Sequence, residues 1–180
     1  FLLGALSLLP LLWWLKSRQP KPQPSSPSGD RRLLLVGGLI AGGVLFSAAS
    51  LQQVGLLYTT AAKAGFITGL YIILVPVIGL ALRHKTGANT WVGALIAMAG
   101  LYYLSVTEEF TIGYGDLLQV IGALFWAVHL LVLDHYSNRV APIRLAGVQF
   151  VVCGLLSLAT AFIIETPTAS GAVAGWQALL

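Results

Sequence analysis

The chain has 180 residues, 57% hydrophobic and 9% charged, against about 25% charged in a soluble domain. A single soluble core cannot hide that much apolar surface, so lipid has to be part of the solvent. The net charge of +4 does not mark a nucleic-acid binder, because the positive residues sit between apolar runs and form no single basic face.

Residues 1–15 are apolar but shorter than the about 20 helical residues that a bilayer core requires. Lys16 and Arg18 follow this run instead of preceding it, which excludes a signal peptide. The chain begins inside the run without Met, and a last apolar run at 175–180 breaks off. Both predict a piece of a longer membrane protein, truncated at each end. Residues 19–30, with Pro20, Pro22, Pro24 and Pro27, predict a disordered cytoplasmic linker. Membrane-spanning helices are predicted at 33–53, 61–82, 90–106, 117–133 and 145–164.

All of the ten Lys and Arg except Lys63 lie in the loops 16–32, 83–89 and 134–144. Cytoplasmic loops of membrane proteins are rich in Lys and Arg. Those three loops are therefore predicted inside, and 107–115 and 165–175 outside. An integral protein of a bacterial inner (plasma) membrane is the expectation.

Close helix approach in lipid needs small side chains. Gly38 with Gly42 and Gly65 with Gly69 form GxxxG pairs, and Gly93 with Ala97 and Ala123 with Ala127 form milder versions. At about 100° per residue, Gly65, Gly69, Ile72 and Pro76 share one stripe that is expected to pack on neighbouring helices. Pro76 leaves a carbonyl unpaired and is expected to kink its helix.

Ionisable groups at membrane depth are functional candidates. Lys63 lies near the outer end of its predicted helix, on the face away from the Gly65/Gly69 stripe. It can attract a carboxylate or snorkel to the headgroups. His129 shares an arc with Gln119, Gly122 and Trp126, and is either a neutral, hydrogen-bonded interior residue or a proton-linked group. Ser47, Ser50 and Gln53 share a face of the Gly38 helix, although Ser hydroxyls also bond carbonyls one turn back. No Asp or Glu lies deep in a predicted span, which favours a neutral, zwitterionic or anionic cargo over an organic cation. Cys153 is the one cysteine, so no disulfide framework or cysteine metal site can form.

Residues 111–116 read TIGYGD, which resembles a potassium-channel filter. A filter needs a re-entrant pore helix just before it, and the charge alternation leaves no room for one if 90–106 spans. The Gly-x-Gly-Asp within it also occurs in intramembrane aspartyl proteases, whose chemistry needs a second carboxylate at depth. The remaining reading is a Gly-rich turn with Asp116 capping the next helix. A channel or a membrane-embedded hydrolase using Asp116 or Ser47 with His129 are the alternatives.

Residues 51–85, LQQVGLLYTTAAKAGFITGLYIILVPVIGLALRHK, resemble the third-to-fourth helix region of the EamA family of drug/metabolite transporters. Residues 90–105, TWVGALIAMAGLYYLS, resemble the fifth helix, and 115–158 resemble the start of the second repeat. The resemblance implies an all-α polytopic bundle of ten helices in two inverted five-helix repeats, of which this stretch holds helices two to seven. Residues 1–106 would form the first repeat without its first helix, and 115–180 the truncated second repeat. Aligning 1–15 with 150–164 matches Phe1 with Phe150, Leu6 with Leu155 and Leu9 with Leu158. Basic residues follow the first of these helices and precede the second, as an inverted repeat requires, and about 35 residues would precede Phe1.

The family moves small metabolites, amino acids or drugs, mostly outward, by alternating access. A cavity near the midplane is expected to use Ser47, Ser50, Gln53, Lys63, Thr68, Tyr71, Trp126 and His129. The expected partners are the lipid bilayer and a small-molecule substrate, with proton coupling and a homodimer compatible with this reading. No cofactor, metal or covalent chemistry is expected.

Overall fold

In the computed structural model, residues 1–18, 31–83, 86–105 and 113–164 are described, and every regular element among them is helical. The helices are α1 (Leu2–Arg18), α2 (Arg31–Leu56), α3 (Ala61–Gly69), α4 (Tyr71–Ala81), α5 (Ala88–Ser105), α6 (Tyr114–Ser137) and α7 (Pro142–Ile164). The expected linker at 19–30, residues 165–180, and Thr111 and Ile112 of the TIGYGD run lie outside the described residues. By length and composition, α2, α3 with α4 as one run, α6 and α7 can cross a bilayer. The expected span 90–106 falls in α5, which does not join that set. Its first turn holds Asn89 and Thr90, and Tyr102 and Tyr103 dilute its other end.

α2, α6 and α7 overrun the predicted spans, with Arg31 and Arg32, Asp134 and His135, and Arg144 in the added ends. At about 1.5 Å per residue, the 26 residues of α2 reach about 39 Å, beyond a core of about 30 Å. Pro142 opens α7 at the position where a missing N–H costs nothing. Arg83, at φ 63°, ends the α4 run in the left-handed conformation typical of helix C-termini.

Pro76 lies inside α4. A single turn residue, Leu70, separates α3 from α4: its N–H donates to the Ile67 carbonyl at 3.1 Å and the Ile73 N–H donates to its carbonyl at 3.0 Å, while Leu70 itself keeps right-handed helical angles (φ −57°, ψ −23°). These three-residue bonds tighten the chain locally. Gly69, just before it, packs closely on α5: a Cβ there would lie 2.4 Å from Leu101 Cδ1.

α2 packs along α6 and α7, α1 lies on α7, and α3 and α4 lie between α6 and α5. Ala41, Leu45, Ala48, Ala123, Ala127, Leu145 and Cys153 fill the core, while Leu39, Leu95, Phe162 and Ile163 are exposed for lipid. The Gly38/Gly42 pair packs as expected. A Cβ on Gly38 would meet Val148 Cγ1 at 2.2 Å, and one on Gly42 would meet Val152 Cβ at 2.6 Å. Gly65 and Gly93 do not pack: a Cβ on either meets nothing within 4 Å. Ala64 and Ala94 are buried in their place. Of the predicted stripe, Gly69 and Pro76 are buried and Gly65 is exposed.

Candidate functional site

The candidate site is a ladder of polar side chains that α6 presents to α2, α3 and α7. Its first rung is at the Tyr114 end. Gly113 precedes the helix in extended backbone, and its N–H donates to Asp116 Oδ2 at 2.9 Å. The Thr59 hydroxyl donates to Asp116 Oδ1, and Lys63 Nζ lies 4.0 Å from Oδ2. Asp116 is buried, whereas the Lys63 side chain is 25% exposed. Asp116 therefore does what the Gly-rich-turn reading expected, capping α6, and also faces Lys63. Tyr114, Gly115 and Asp116 form the first turn of α6, so their carbonyls serve the helix and do not line a filter.

This end is tightly closed between α2 and α6. A Cβ on Gly115 would lie 2.7 Å from both the Gly55 carbonyl oxygen and the Tyr58 carbonyl carbon. The Tyr58 and Tyr114 rings meet edge to face with centroids 5.4 Å apart. Beside them, Thr59, Thr60, Lys63 and Asp116 line an open cleft of about 380 Å³. A second cleft of about 300 Å³, lined by Pro76, Gly79, Thr90, Leu130 and Asp134, opens toward the other end of α6.

The second rung is Gln119, which is fully buried. Its Nε2 donates to the Gln52 main-chain carbonyl at 2.9 Å, and its Oε1 accepts from the Thr68 hydroxyl at 3.1 Å. Gly55 makes room for it, because a Cβ there would lie 2.7 Å from Gln119 Nε2. Further along, Trp126 Nε1 donates to Gln52 Oε1 at 3.1 Å. The Trp126 and His129 rings meet edge to face at 5.9 Å. His129 Nε2 is 3.0 Å from Gln149 Oε1, and among the described residues its buried Nδ1 has no hydrogen-bond partner. A buried polar atom left unpaired is costly unless water, a proton or a ligand meets it.

Of the residues proposed from sequence, Lys63, Thr68, Trp126 and His129 belong to this ladder. Ser47 does not, because its hydroxyl donates to the Gly43 carbonyl at 3.0 Å, one turn back. Ser50 and Tyr71 are half-buried and take no part in the bonds that link the ladder's helices. Gln53 is exposed, and Gln52 takes the interior place. At about 100° per residue, Gln52 and Gln53 lie about 40° and 60° to either side of Gly38, so helical spacing alone does not choose between them and the contact with α6 does. Gln149 lies four residues after buried Leu145 and four before buried Cys153. Thr59 lies between helices, and nothing in the sequence pairs it with Asp116. Ser47, His129 and Asp116 form no hydrolytic set: Ser47 bonds main chain, His129 meets Gln149, and Asp116 faces Lys63.

The profile of the EamA-like transporter family matches residues 1–106 and 113–180. Over 121 residues the chain is 37% identical to an "Uncharacterized transporter" of Archaeoglobus fulgidus, a match that covers 67% of this chain and 39% of that protein. The chain thus spans well under half the length of the curated relative it matches. No solved structure matches.

Proposed function

Because this chain belongs to the EamA-like transporter family, we propose that it is part of a secondary transporter that exports small metabolites, amino acids or drugs by alternating access. The observation that carries the proposal is the ladder itself. In an otherwise apolar bundle, α6 aligns Asp116, Gln119, Trp126 and His129 against Gln52, Thr68 and Gln149, with a cleft near each end. Polar groups inside a membrane bundle are expensive and mark solute or ion routes.

The rungs below Asp116 are amides, a hydroxyl, an indole and an imidazole. They offer donors and acceptors without a fixed negative charge, which suits a neutral, zwitterionic or anionic cargo. The bare Nδ1 of His129 is the group at which a transported proton would bind. On this reading the Tyr114 end of α6 faces outward from a bacterial inner membrane, an orientation that the Lys/Arg-rich loops favour. Two inverted repeats agree with the contact between α1 and α7. Phe1 and Phe150, the residues aligned as equivalents, meet with ring centroids 6.2 Å apart. Equivalent positions nearest a two-fold axis contact each other.

Metabolite profiling of cells with and without the full-length protein tests this reading. A solute that accumulates outside only when the protein is present is expected, and its export should fall in Gln119→Leu and lose its dependence on the proton gradient in His129→Asn. Identical profiles with and without the protein would sink the proposal.

A further inference from the structure

We propose that Arg31, Arg139 and Arg144 form a binding site for the phosphate headgroup of an anionic phospholipid, at the corner where α2 and α7 begin and α6 ends. The site requires only that the bundle lies in a bilayer, whatever solute it moves.

Helix direction brings the three arginines together. Gly38 packs on Val148 and Gly42 on Val152, so α2 and α7 run parallel and start side by side. Gly37 packs on Tyr136 and Gly55 on Gln119, so α6 runs the other way and ends at the same corner. Arg31 opens α2, Arg144 lies in the first turn of α7, and Arg139 stands in the turn that joins α6 to α7. All three are exposed. Packed helices lie about 8–10 Å apart, a gap that long arginine side chains can close onto one phosphate. Arginine suits that task, because its planar fork of N–H groups matches phosphate oxygens.

Among the described residues no acid answers this charge. Neither α2 nor α7 has an acidic residue in its first turn. Asp134, the acid nearest this end of α6, sits about 200° around the helix from Tyr136 and lines the cleft against α4 and α5. Asp30 lies outside the described residues, and one carboxylate there would leave the corner positive. Arg32 has an interaction of its own. Arginine in the first turn also opposes the helix dipole, a cost that an anion at this corner removes. Just beneath the arginines the surface is apolar. Exposed Leu35 and Leu39 follow Arg31 at four-residue spacing on α2, and exposed Val151 and Leu155 follow Arg144 at seven and eleven on α7. A lipid would lay its acyl chains along both rows, whereas a soluble phosphate would leave them bare. Trp13 of α1 lies at the same level, because α1 runs antiparallel to α7 with Leu2 on Gly154 and Gly4 on Phe150. Its ring is 73% exposed, as suits the headgroup layer.

The test uses the full-length protein in a neutral detergent. Thermal unfolding is followed while dioleoylphosphatidylglycerol, dioleoylphosphatidylcholine or inorganic phosphate is added. Phosphatidylglycerol is expected to raise the melting temperature where the other two do not. Its half-saturating concentration is expected to rise about fivefold in Arg31→Gln and in Arg144→Gln, and to stay unchanged in Arg83→Gln. Arg83 ends the α4 run at the same end of α6 but beside α5, so it carries an equal charge outside the corner. Each half-saturating concentration is read within one protein, so a change in lipid-free stability does not obscure it. An equal rise in all three variants would mean diffuse surface charge and overturn the site, as would unchanged titrations in Arg31→Gln and Arg144→Gln. Equal stabilisation by phosphatidylcholine or by inorganic phosphate would overturn an anionic lipid as its occupant.

Discussion

Two regions of this bundle use small residues in opposite ways. Where α2 meets α6 and α7, most glycines are space already filled: Gly37, Gly38, Gly42, Gly55 and Gly115 each face a neighbour that a Cβ would strike at 2.9 Å or less, whereas Gly43 and Gly147 face nothing within 4 Å. Along α3 and α5, Gly65, Gly93 and Gly100 face nothing within 4 Å, and Gly69 is packed on Leu101. The first region also holds the polar ladder, and the second holds the turn at Leu70. A glycine pair in a membrane sequence therefore does not by itself mark a contact. It marks one where a partner helix brings a side chain or main chain into the vacant Cβ position, as Val148 and Val152 do for α2.

That contrast is open to direct attack. The largest effect is expected for Gly115→Ala. The new Cβ meets main-chain atoms of Gly55 and Tyr58 at 2.7 Å, which cannot swing aside. A loss of about 3 kcal/mol should appear as a lowered melting temperature and reduced folded protein in the membrane. Full stability in Gly115→Ala would mean that α2 and α6 do not approach as described.

Next comes Gln119→Leu, which keeps the bulk of the side chain and removes its bonds to Gln52 and Thr68. Thr68 loses its acceptor inside the bundle, for a cost of about 1–3 kcal/mol. Thermal unfolding in detergent measures it, and a change below about 0.5 kcal/mol would count against a buried second rung. The smallest effect has the opposite sign. Gly93→Ala adds a methyl group into open space within α5 and relieves the entropic cost of a helical glycine, for a gain of about 0.5–1 kcal/mol. Destabilisation there would show that this face is packed.

Much of the architecture was legible because lipid leaves few choices. A run of apolar residues must close its own hydrogen bonds as a helix, and so the long helices fall where the runs fall. The turn at Leu70 was not legible, because Pro76 is the stronger local signal in this run. The site was half legible. Trp126, His129, Thr68 and Lys63 stand out as polar or ionisable groups in apolar surroundings. Gln53 stands out from sequence because it shares a face with Ser47 and Ser50, yet it is Gln52 that bonds to α6. Asp116 was legible as a cap and not as a counter-ion, since its partner Lys63 lies on another helix.

The sequence by itself therefore determined that the chain is a helical membrane protein, where its principal helices run, and which family it belongs to. These follow from apolar length, from charge at the helix ends and from motifs that are contiguous in the chain. Only the tertiary structure decided which face of each helix meets a neighbour. With it came the choice of Gln52 over Gln53, of Ala64 over Gly65, and the meeting of Lys63 with Asp116. The physical reason is that a helix displays every residue somewhere on its surface, and burial is conferred by the partner that arrives, not by the residue that waits.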